Sequence, residues 1–410
     1  MSVQKRTWTT KDGKKKTAWR VQYDTGARDA SGGPVRESKT FDRERDAKDF
    51  DADVRLRRQR GALGLLDAGT ETLDAYVLNT WAPTYGVALA SKTRETYSSL
   101  YDAHIAKPLG SIALRDFTPE LIAHWQAERL ALKAGPTAVR RALELLGGIL
   151  QRAAEAQRIP SNPARLVRKA KLPRRSEVRP LAPATVEAMR AHVLAPPPRL
   201  VPASKAGQRP RAAYSTAARP DPRTAILISL MAYAGLRPGE ALALQWGDVD
   251  ENTLLIERAM SLGEVKDTKT GAHRSVRLLA PLAADLKTWR LRSGRPSPSA
   301  LVVPAGSGGA WTRAAYDSWS KHTFHRAAEA VNRPEATPYD LRHSFASLLL
   351  HEGRSVIYVA RQLGHGAQLT LSTYGHVIEE LEGMPNLSAE DAIRNARAEL
   401  LHHERTREVV

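Results

Sequence analysis

"TPYDLRHSFASLLL", residues 337–350, carries two patterns at once. Leu341, Phe345, Leu348 and Leu349 recur at helical spacing and predict one buried face. Tyr339 and Arg342 stand three apart, so on the same helix they share a different face and would point at one ligand. The stretch reads as a core helix that also carries polar groups with work to do.

Upstream, "AGLRPGEALAL" (234–244) has Gly235 as a helix stop and Pro238 at the first position of the next helix. Arg237 then falls at the N-cap, kept out of α geometry by the proline that follows. A guanidinium held beside a helix N-terminus suits an anion, and a phosphate clamp is one reading. The other is a surface arginine paired with Glu240. Lys269 lies in "KDTKTGAHRSV", where the turn before Gly271 would swing an ammonium into a neighbouring cleft. Downstream, "LGHGAQLTLSTYGHV" (363–377) places His365 after Gly364, a helix C′ residue, with Tyr374 nine positions on. Its neighbours in sequence leave open whether Tyr374 packs or reacts.

The 410 residues predict two to four domains. With 42% hydrophobic and 26% charged residues, most of the chain is expected to fold. Cysteine is absent, which excludes a disulfide framework, a thiolate metal site and a thiol nucleophile, and fits a reducing compartment. No apolar run reaches the ~18 residues of a membrane span, and the first residues lack the apolar core of a signal peptide. A soluble, cytoplasmic, DNA-associated protein is expected. The net charge of +18 attracts polyanions, of which nucleic acid is the commonest inside cells; an arginine-rich composition is the bland alternative. The excess is uneven: residues 1–66 hold 17 Lys/Arg against 10 Asp/Glu, whereas 386–410 hold 4 against 5.

Strand-like "TAWRVQYDTG" and "PVRESKTFD", then the charged helix "RERDAKDFDADVRLRRQR", predict a small sheet backed by a helix over 1–66. Trp8, Trp19, Arg20, Gln22 and Tyr23 on it would enter a DNA groove or belong to a solvated sheet. Residues 72–171 read as helical, with Thr118 as N-cap and Pro119 at the first helical position of "TPELIAHWQAERLAL", and close in the basic, proline-punctuated linker "IPSNPARLVRKAKLPRRSE". A third segment, 177–385, mixes helices with the strands "NTLLIERAM" and "HRSVRLLA" and holds a proline-rich insertion, 196–222, expected as an exposed or disordered loop. The tail, 386–410, contains an amphipathic helix with Ile393, Ala396 and Leu400 on one face. The fold class expected is multidomain and mainly α.

"GLRPGEALAL", the lysine of "TKTG", "DLRHSFASLLL", "LGH" and "TLSTYGHV", in this order and spacing, resemble the catalytic motifs of the tyrosine recombinases, the phage integrase family. The resemblance is close over 177–380. It extends loosely to an arm-binding domain at 1–66 and a helical core-binding domain at 72–171, which with the mixed α+β catalytic domain would close as a clamp on duplex DNA.

The resemblance implies that Tyr374 attacks a DNA phosphodiester to give a 3′-phosphotyrosyl link and a free 5′-hydroxyl. Arg237 and Arg342 would meet the charge on the non-bridging oxygens, His365 would add a hydrogen bond, and Lys269 would protonate the leaving oxygen. One phosphodiester is exchanged for another, so neither ATP nor a metal cofactor is expected. Implied partners are double-stranded attachment-site DNA, three further copies in a homotetramer on two sites with the 386–410 tail docking in trans, and DNA-bending and directionality proteins. A type IB topoisomerase and a non-catalytic DNA-binding regulator are the competing readings.

One position departs from the family pattern: Tyr339 stands where histidine is usual before the arginine of the second motif. A neutral phenol donates to phosphate but is a weak base near pH 7, so Tyr339 is read as a phosphate contact or support. His343, four residues on, either compensates or is a satisfied helix histidine. Asp340 and Glu240 are read as orienting groups.

Overall fold

A computed structural model describes residues 3–9, 15–28, 33–59, 68–173, 178–201, 214–216, 219–261, 263–267, 273–381 and 383–408. The chain divides into two compact units, Met1–Arg174 and Arg175–Val410.

In the first unit, β1 (Val3–Thr9), β2 (Lys15–Arg28) and β3 (Pro34–Phe41) form an antiparallel sheet in chain order, and the helix Glu44–Gln59 follows. Ala18, Val21 and Tyr23 of β2 are buried, as are Ala47 and Val54 of the helix. Tyr23 meets Phe50 edge-on at 5.3 Å and donates to Glu37, so it is a core residue rather than a groove reader; Trp8 is 48% exposed. β1 went unpredicted because its side chains show no apolar alternation. Its place comes from backbone pairing with β2, Val3 opposite Val21 and Thr9 opposite Lys15.

The helical part of this unit starts at Leu73, behind an N-cap at Thr72, and runs on to Gly86 in wider, π-type turns. Helices Pro119–Ala131 and Pro136–Glu155 follow. The hydroxyl of Thr118 accepts from Leu121 N at 3.1 Å, as its position before proline predicts. Leu73, Ile105, Ile122, Trp125, Leu146 and Ile149 form the centre of the core. Gly147 and Gly148 do not interrupt their helix. The expected linker is pinned to the bundle: Asn162 donates to Gly147 O, and Gln126 bonds both Arg168 O and Ala170 N.

In the second unit the helix Pro222–Tyr233 is buried on every side from Thr224 onward. Helices Pro183–Leu194, Ala280–Arg292 and Pro338–His351 pack around it. The proline-rich insertion is not wholly a loop: β4 (Arg199–Val201) pairs with β5 (Tyr214–Thr216), a ladder that β-branched and aromatic residues favour at its ends. "NTLLIERAM" is two strands rather than one. β6 (Thr253–Ile256) pairs with β9 (Arg274–Arg277), and after Glu257 β7 (Arg258–Ser261) pairs with β8 (Glu264–Asp267).

The helix Ala389–Glu408 covers its apolar face in cis, with Ala389, Ile393 and Ala396 buried in the unit's own core or beside it. Arg397 anchors it, 2.7 Å from Asp285 and 3.1 Å from Glu187. Among the described residues no helix is long and apolar enough to cross a membrane.

Candidate active site

The site is built on helix ends. Gly235, at φ +61°, stops the Pro222–Tyr233 helix, and a Cβ there would strike the Phe345 ring at 2.4 Å. Arg237 follows with φ −65°, ψ 151° as the N-cap of Pro238–Ala243. Gly364, at φ +64°, ends the helix Val356–Leu363 in a left-handed turn.

Three guanidiniums converge on the carbonyls at that helix end. Arg274 Nε donates to Gln362 O at 2.9 Å, Arg342 donates to Leu363 O, and Arg237 donates to Gly364 O at 3.1 Å. Arg342 also donates to Gly235 O. The negative end of a helix dipole thus receives three cations, which partly offsets the cost of burying them.

Glu240 completes the arrangement. It is 3% exposed and accepts both arms of Arg274, at 3.0 and 2.7 Å, together with the Arg237 backbone N–H at 2.9 Å and its guanidinium at 2.6 Å. Burial alone would raise its carboxyl pKa, but the bonds and charge of Arg274, then Arg237, outweigh burial and hold it at about 2. Arg237 pairs with Glu240, as its second reading has it, yet its side chain is 36% exposed and these bonds use two of its five donors.

Arg342 is 2% exposed, and burial first, then the charge of Arg237, lowers its pKa to about 10. It remains protonated at neutral pH. His365 feels burial and then Arg342, Arg237 and Arg274, which depress its imidazole to about 4. A neutral ring has one N–H. Its Nδ1 lies 2.9 Å from Thr370 Oγ1, which is 3.2 Å from Gly366 O. If the hydroxyl takes the shorter contact and donates to Nδ1, the ring proton sits on Nε2, available to an anion.

Tyr374 lies on the helix Ala367–Leu381 and is 1% exposed. Burial pushes its phenol up to about 12 against the opposing charge of Arg342. Its hydroxyl is 2.6 Å from His343 Nδ1, with the rings edge-to-face at 5.6 Å. Tyr339 is 47% exposed, its ring centroid 6.1 Å from that of His343. Asp340 caps its own helix by accepting from Thr337 N and Oγ1 at 2.7 and 2.9 Å. His376 bonds Val178 O at 2.8 Å, a structural tie.

Arg237, Arg342 and His365 are thus gathered at one helix end, and Tyr374 is joined to the Arg342 helix through the next residue, His343. Lys269 lies outside the described residues. Sequence reading missed Arg274 and Thr370. Arg274 shares a strand face with buried Val276, and an inward arginine demands a carboxylate, so alternation along "HRSVRL" held that signal. Among the described residues no group of three or more His, Asp or Glu has metal-binding geometry.

Fixed guanidiniums, a neutral imidazole and a phenol held on a second imidazole form a set chemically suited to an anion and an oxygen nucleophile. The comparisons agree with that class. Residues 211–380 match the phage integrase family model. A prophage phiRv2 integrase of Mycobacterium tuberculosis is 26% identical over 303 residues, 72% of this chain and 72% of its own length. Tyrosine recombinase XerC of Bifidobacterium longum is 30% identical over 175 residues, 39% of this chain and 45% of that protein. Among solved structures, the Tn1549 transposon integrase bound to transposon right end DNA has a similar fold, with TM-score 0.59 and 15% identity over 77% of this chain and 99% of that one. A lambda integrase dimer bound to a COC′ core site does too, with TM-score 0.57 and 15% identity over 92% and 95%. Residues 211–380 thus match a phage integrase domain, and the chain is similar to tyrosine recombinases and integrases. With that domain and those relatives it is a tyrosine-type site-specific recombinase.

Proposed function

We propose that Tyr374 is the nucleophile with which this recombinase cuts and rejoins DNA, integrating or excising a mobile element such as a prophage. The observation that carries the reading is the Tyr374 hydroxyl seated on an imidazole one residue from Arg342. Attack of Oη on phosphorus forms the tyrosyl phosphodiester and breaks the bond to the 5′ oxygen. Arg237 and Arg342 stabilise the charge that builds on the non-bridging oxygens, and preorganised donors of this kind are worth ~10²–10³ in rate each. His365 donates from Nε2, and Lys269 protonates the departing oxygen. Burial keeps the phenol protonated in the resting site. Because bond energy is kept in the link, a second strand's 5′-hydroxyl reverses the step.

Residues 72–171 and 177–385 grip the core site, residues 1–66 bind arm sites, and four copies act on two duplexes with DNA-bending and directionality proteins. The test is a nicked suicide duplex drawn from a randomised library. The unsubstituted chain should be trapped as a covalent adduct on it, and Tyr374→Phe should not. No adduct from the unsubstituted chain would overturn the reading in favour of a non-catalytic regulator. Relaxation of plasmids without sequence preference would favour a topoisomerase.

A further inference from the structure

We propose that His343 is the catalytic residue that takes the phenol proton of Tyr374, in a chain that has tyrosine at position 339. The inference rests on Tyr374 being the nucleophile.

A phenol pushed up to about 12 by burial loses its proton only to an acceptor in contact with it. His343 Nδ1, at 2.6 Å, makes that contact. The phenol has a proton to give, so Nδ1 carries the lone pair and the ring hydrogen sits on Nε2. The other groups nearby are poor acceptors. Tyr339, on the same helix, is itself a phenol, and His365 is held to about 4 by burial and three guanidiniums. Arg342, one residue away and buried, is a cation throughout.

In the forward step Tyr374 Oη bonds to phosphorus, its proton passes to His343 Nδ1 to give imidazolium, and the bond to the 5′ oxygen breaks, that oxygen taking a proton from the site's general acid. In religation the 5′-hydroxyl attacks and returns its proton to the site's general acid, the tyrosyl oxygen leaves, and His343 gives its proton back to that oxygen.

The test measures single-turnover adduct formation by the full chain on the same library-derived suicide duplex. In His343→Asn the amide oxygen stands near the place of Nδ1 and still accepts from Tyr374, but it is not a base. Proton transfer typically contributes ~10²–10⁴ in rate, so H343N should slow the step about 100-fold, and Y339F less than about 5-fold. Replacing Tyr374 by a fluorinated tyrosine of lower phenol pKa should shrink the H343N defect, because a more acidic nucleophile needs less help. H343N within about 3-fold of the unsubstituted rate would overturn the inference, as would a defect of equal size on the fluorinated nucleophile. Should the asparagine variant not fold, His343→Gln is read by the same outcomes. No adduct from the unsubstituted chain would instead remove the nucleophile reading on which this one rests.

Discussion

Glu240 shows how one carboxylate holds a pair of cations in place. Its pKa falls from 4.5 to about 2 in the folded chain, so the unfolded state binds the proton more readily. Its contribution is full above about pH 4.5 and is lost as pH falls towards 2, amounting to on the order of 3 kcal/mol. Glu240→Gln is therefore expected to lower stability by about that amount at pH 7 in chemical denaturation, with the gap between the two proteins closing as the pH approaches 2. Thr370 acts more subtly: when its hydroxyl donates to Nδ1, the hydrogen of a neutral His365 is held on Nε2. Thr370→Val should slow adduct formation roughly 10-fold while leaving DNA affinity in a filter-binding assay unchanged, because an Nε2 without its proton no longer donates to phosphate.

Helix ends do most of the positioning. The left-handed residue Gly364 brings the last carbonyls of its helix to Arg237, Arg274 and Arg342, and a Cβ there would lie 2.9 Å from Arg274 Cδ. Gly364→Ala should cost about 1–2 kcal/mol from backbone strain alone, read as a lower denaturation midpoint. At the other end of the unit, Arg397 ties the last helix to Asp285 and Glu187, and Glu187 in turn bonds Tyr233, two residues before Gly235. Removing one member of a half-buried ion network leaves its partners poorly paired. Arg397→Ala should speed hydrogen exchange of the amides between Ala389 and Leu400 by roughly 10- to 100-fold, with little change in the helix Pro119–Ala131.

Two units with separate cores are expected to unfold as separate thermodynamic bodies. Leu146 is fully buried in the first, where truncation to alanine typically costs about 2–5 kcal/mol. Calorimetry of the Leu146→Ala chain should move one unfolding transition and leave a second in place. A single transition that shifts as a whole would show instead that the units unfold together. The excess of positive charge belongs to this level too: DNA affinity should fall steeply with added salt, as counterions released by phosphate contacts compete again.

Local rules made much of this protein readable from its residues alone. Thr118 before Pro119, Arg237 before Pro238 and Gly364 after an apolar helix each declare a helix boundary, because capping depends on neighbours within a turn. The order Arg237, Arg342, His365, Tyr374 carried the resemblance to the tyrosine recombinases, because motif order and spacing belong to the chain itself. What sequence could not decide was partnership across long stretches of chain. Whether Tyr23 faced DNA or Phe50, whether β1 formed at all, and whether "NTLLIERAM" was one strand or two depended on which backbone lay alongside. The same holds for His343: four residues from Tyr339 it reads as a helix histidine, and only folding brings Tyr374, 31 residues on, to its Nδ1. Hydrogen bonds reach about 3 Å, so such pairings exist only once tertiary packing has closed the distance.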